Sequence, residues 1–80
     1  MNDEVVVGEF KKLAERLGIE LRYIEEGPSG LCTLKGKRIM FINKALDSSE
    51  QVELFVREFQ DIDVEGIFVV PVIRRLLESW

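Results

Sequence analysis

Leu31-Cys32-Thr33-Leu34-Lys35-Gly36-Lys37-Arg38-Ile39-Met40-Phe41-Ile42 is the stretch that decides the fold. Two short runs rich in strand formers flank Lys35-Gly36-Lys37, and Gly36 is free to take a positive φ. The reading is a β-hairpin. The second run has apolar side chains at consecutive positions, so both of its faces are apolar. That pattern predicts a central place in a sheet.

Upstream, Ile19 to Glu26 sets Ile19, Leu21 and Tyr23 against Glu20, Arg22 and Ile24, the alternation of a strand. Gly27-Pro28-Ser29-Gly30 separates it from the hairpin as a turn. It lacks the Lys-Ser/Thr ending and the following helix of a phosphate loop. Further upstream, Val6, Phe10, Leu13, Ala14 and Leu17 recur at helical spacing. Asp3 and Glu4 suit the positive end of that helix, and Gly18 suits its stop.

Downstream, Asp47 with Glu50, or Ser48 with Gln51, forms a capping box for a second helix. Its apolar set is Val52, Phe55, Val56, Phe59 and Ile62, with Leu54 off the stripe. Ile67-Phe68-Val69-Val70 reads either as a fourth short strand or as a turn. Pro71 fits the first position of a last helix, whose stripe is Val72, Ile73, Leu76, Leu77 and Trp80. The expected order is α-β-β-β-α-(β)-α. Residues 1–80 read as one α+β domain, with a three-stranded, mainly antiparallel sheet packed against helices.

Composition narrows the chemistry. The chain has 80 residues, one cysteine and no histidine. No histidine means no Ser-His or Cys-His nucleophile and no imidazole base. One cysteine without histidine does not make a closed zinc site. Asp61, Asp63 and Glu65 lack the full ligand run of a calcium loop. The paired acids at Glu25-Glu26 and Glu50-Glu53 read as solvated surface. Cys32, set among leucines in a strand, reads as a buried structural thiol. The expectation is therefore no catalytic residues, no metal and no cofactor.

Net charge is −4, unevenly spread. Residues 35–44 hold Lys35, Lys37, Arg38 and Lys44 and no acid. Residues 45–65 hold seven acids against Arg57 alone. The four cations are the candidate binding residues, either as an anion site or as a solvated turn that protects the sheet from strangers. No aromatic platform accompanies them, because alternation assigns Phe41 to the core. An acidic chain disfavours nucleic acid and membrane. Trp80 is the remaining candidate, either closing the core or presented to a partner.

No apolar stretch is long enough for a membrane span, and the N-terminus has no signal-peptide pattern. The expected setting is a bacterial cytoplasm.

From Leu13 to Glu58 the layout resembles the start of the ImmA/IrrE family of zinc-dependent peptidases. The shared features are a helix ending in Leu17-Gly18-Ile19, an alternating strand and the turn Ser29-Gly30-Leu31. A hairpin closing on Ile39-Met40-Phe41-Ile42-Asn43 and a capped helix follow. That helix carries the family's His-Glu-x-x-His motif. Here the segment reads Arg57-Glu58-Phe59-Gln60-Asp61, and only Glu58 matches. Arg57 offers no lone pair to a metal. The resemblance thus implies a metal-free relative. The chain is also similar to short bacterial proteins that share this pattern and lend it no activity.

The leading expectation is a non-catalytic domain acting through protein contacts, with an unidentified protein or with itself. A domain this small gains from association. Its split charge also suits complementary partners. The alternatives are an anion or nucleic-acid binder using Lys35, Lys37, Arg38 and Lys44, and a metal-dependent hydrolase built on Glu58.

Overall fold

The structure is a computed structural model that describes residues 2–79. Its first helix, α1, runs Asp3–Arg16. Asn2 caps it, its side-chain oxygen accepting the Val5 N–H at 2.9 Å. Asp3 and Glu4 place negative charge at the positive end of the helix. At the other end Gly18 takes φ 73°. Gly18 N–H then donates to the Glu15 carbonyl, and Ile19 N–H donates to the Ala14 carbonyl. These two bonds form a Schellman stop.

Three strands follow: β1 (Glu20–Ile24), β2 (Gly30–Leu34) and β3 (Lys37–Asn43). The sheet order is β1-β3-β2, so β3 is central, as its doubly apolar pattern requires. β2 and β3 form the expected antiparallel hairpin, whereas β1 runs parallel to β3. The sheet is therefore mixed rather than mainly antiparallel. The reason is that β1 and β2 do not touch. Residues 25–29 carry the chain across a gap two strand spacings wide, about 10 Å, and β3 returns into it.

Asp47 caps the second helix, α2 (Ser48–Phe59), with the full reciprocal box to Glu50. Val52, Leu54, Phe55, Val56 and Phe59 are all buried, so α2 buries more than one face. Ile67 to Val70 form neither strand nor helix. Pro71 opens the last helix, α3 (Pro71–Ser79). Of its stripe Ile73 is buried, and Val72, Leu76 and Leu77 are half-buried. Trp80 lies outside the described residues.

Helices α1 and α2 pack on one side of the sheet, and α3 packs against α1 and α2. Phe10, Phe55 and Phe59 centre the core. Phe10 stacks on Phe55 at 5.1 Å between centroids, and Phe59 meets both rings edge-on. From the sheet, Met40 and Ile42 are buried in this core, and Leu21 and Leu31 pack at its edge. The Cα atoms span 32 × 30 × 18 Å. The opposite side of the sheet, which carries Cys32, Ile39 and Phe41, lies outside this core.

Candidate functional site

The hairpin turn shows why the four cations do not converge. Leu34 pairs with Lys37 across a two-residue loop. Lys35 takes φ 52° and Gly36 takes φ 80°. Positive φ at both positions is the type I′ turn that matches strand twist. Lys35 stands exposed at the tip. Lys37 lies on the face away from the helices, its Nζ 2.9 Å from Glu20 Oε1. Glu20 also accepts from the Arg22 guanidinium. These two bonds, Arg22 first and Lys37 second, hold the Glu20 carboxyl below its ordinary pKa.

Arg38 is one residue on, so its side chain leaves from the helix side. Its Nη2 donates to the Leu17 carbonyl at 3.0 Å. That carbonyl lies at the negative end of α1, where a cation is favoured. Lys44 sits past the other end of β3, about 23 Å from Lys37 at the rise of a strand. It faces Glu25 at 3.7 Å. The basic island in the sequence is thus a tip, an ion pair, a helix stop and a remote lysine.

A groove of about 470 Å³ opens at the carboxyl ends of β1 and β3, lined in part by Ser29, Asn43, Leu46, Glu50, Glu53 and Arg57. Asn43 organises its floor. Its backbone N–H donates to Ser29 Oγ at 2.8 Å, and its side-chain oxygen accepts the Ala45 N–H at 2.8 Å. Glu50 is occupied by the capping box, and Arg57 faces Glu58 at 3.4 Å. Among the described residues no three His, Cys, Asp or Glu side chains gather as metal ligands. Glu58, the one match to the peptidase motif, accepts the Leu31 N–H at 2.8 Å and so ties α2 to the edge of β2. Asp61, Asp63 and Glu65 are exposed.

The outer face of the sheet was not singled out in the sequence. Strand register places Glu20, Ile39 and Cys32 in one cross-strand row, and Arg22, Phe41 and Gly30 in the next. Lys37 and Leu34 flank these rows at one end, Ile24 and Asn43 at the other. Leu34 is 51% exposed, and Ile24 and Phe41 are half-buried. Cys32 is exposed, not buried, because its edge strand turns it away from the helices. Phe41 leaves the expected core for the same reason, sharing the Cys32 face of the pleat. Ile39, flanked by the long side chains of Glu20, Arg22 and Lys37, keeps 4% of its surface. The result is an apolar strip with a rim of paired charges. The signal for it was the consecutive apolar run of β3, which furnishes both faces.

The chain matches none of the protein-family models, curated proteins or solved structures with which it was compared.

Proposed function

We propose that this chain is a non-catalytic domain that works through protein contacts, with the open face of its sheet as the contact surface. The observation that carries the reading is the apolar strip of Leu34, Cys32, Phe41 and Ile24 on the side opposite the core. Sheets in stable domains ordinarily bury such a face against a second layer. An exposed apolar patch rimmed by charge is the usual form of a protein-binding surface. The scattering of Lys35, Lys37, Arg38 and Lys44 favours this reading over an anion site, which needs convergent cations.

A bacterial cytoplasm suits it. Cys32 is a free, exposed thiol, and a reducing compartment preserves such thiols. No helix among the described residues is long and apolar enough to cross a membrane.

The test is a charge placed inside the strip. Cys32→Glu alters an exposed side chain and leaves the helix-side core intact. Sedimentation and capture from native lysate are run on both proteins, with circular dichroism to confirm the fold. Wild type is expected to bind protein, another copy or a different chain, and Cys32→Glu to lose at least tenfold in affinity. A wild type that stays monomeric and retains nothing contradicts the proposal. So does equal retention by the two proteins.

A further inference from the structure

We propose that the occupant of the open face is a second copy of this chain, packed sheet to sheet about a twofold axis that runs across the strands between Ile39 and Phe41. The inference rests on the reading of the open face just given, and adds the partner and the register.

The open face can complement a copy of itself. Two sheets that pack face to face keep their strands roughly aligned and lie about 10 Å apart. A twofold contact presents the same patch from both sides. Only a few axes are compatible with the register of this sheet. An axis along the strands sets Glu20 over Cys32 of the second copy and Arg22 over its Gly30, so charges lose water and gain no partner. An axis across the strands at the Glu20 row sets Glu20 over Glu20. One at the Arg22 row sets Arg22 over Arg22. Each of these opposes like charges, which interfaces select against.

Midway between the two rows the outcome reverses. Glu20 of each copy faces Arg22 of the other, and Ile39 faces Phe41. Cys32 faces the Gly30 backbone, whose Cβ position is taken by Glu58 Oε1 of the same chain at 3.1 Å. Lys37 faces the polar Asn43. Glu20 and Arg22 lie on β1, an edge strand. Their charged ends therefore meet along one side of the contact, while Phe41 and Cys32 supply its apolar part.

The register has a charge-swap signature. Sedimentation equilibrium on wild type is expected to show a dimer. Glu20→Arg alone and Arg22→Glu alone each oppose like charges, and each is expected to weaken the dimer at least tenfold. The double variant Glu20→Arg/Arg22→Glu restores it. So does an equimolar mixture of the two single variants, which pairs unlike charges at both ends and forms a mixed dimer. The mixture and the double variant also separate a broken interface from a broken fold.

Single variants that dimerise as tightly as wild type overturn the proposal, as does a mixture that stays monomeric. A wild type monomeric up to millimolar concentration overturns it as well. In that case a different protein, retained by wild type and lost by Cys32→Glu, would leave the contact function standing without the second copy.

Discussion

Lys35 holds φ at 52°, in the left-handed region that a Cβ resists. Asparagine adopts this conformation readily, and Asn-Gly is the preferred pair for a two-residue hairpin. Lys35→Asn is therefore expected to stabilise the domain by about 1 kcal/mol, seen as a higher urea midpoint at constant slope. An unchanged or lower midpoint contradicts the turn assignment. The glycine half of this turn was legible in the sequence and the lysine half was not. Gly36 announces a positive φ, whereas a lysine adopts one only because the Leu34–Lys37 pairing demands it. The cations misled for a related reason. Ten residues are close along a chain, but a strand carries them apart and turns alternate side chains to opposite faces.

At the scale of elements, α2 does more than cover the sheet. Glu58 accepts the Leu31 N–H from outside the ladder, so Leu31 belongs to a pair whose backbone groups point away from β3. The carboxylate takes the position that the carbonyl of an added strand would occupy. It thus blunts the β2 edge. Glu58→Ala is expected to destabilise by about 1–2 kcal/mol and to raise the exchange rate of the Leu31 amide well above that of its ladder-bonded neighbours. A Leu31 amide as protected as before contradicts this role. Several elements were legible because their signals are local. Gly18 closes α1, Asp47 and Glu50 box α2, and Pro71 opens α3. The parallel partnership of β1 and β3 was not legible. Strands joined by a short loop usually neighbour each other, and nothing within β1 states that a later strand will come between.

The whole molecule has its core on one side. Phe10, Phe55 and Phe59 are each at most 1% exposed and meet at aromatic contact distances. Phe55→Ala removes the shared ring and is expected to cost about 3–5 kcal/mol. For 80 residues the total stability is roughly 4–12 kcal/mol, so a large fall in melting temperature is expected, with the fold near its limit. A shift of only a degree or two contradicts a core centred on these rings. Alternation in the sequence identified which residues share a face of each strand. It did not say which face of β3 would receive the helices, because Ile39 and Phe41 are as apolar as Met40 and Ile42. Helices α1 and α2 chose the Met40 side, which left Cys32 and Phe41 outside.

Cys32 is therefore a built-in reporter of the open face. The most direct measurement is its rate of modification by a small neutral maleimide, followed from dilute to concentrated protein alongside sedimentation. Rapid modification is expected when dilute, with progressive slowing as copies associate and cover the strip. A rate that stays constant across that range, or a dimer that leaves Cys32 as reactive as in the monomer, contradicts it.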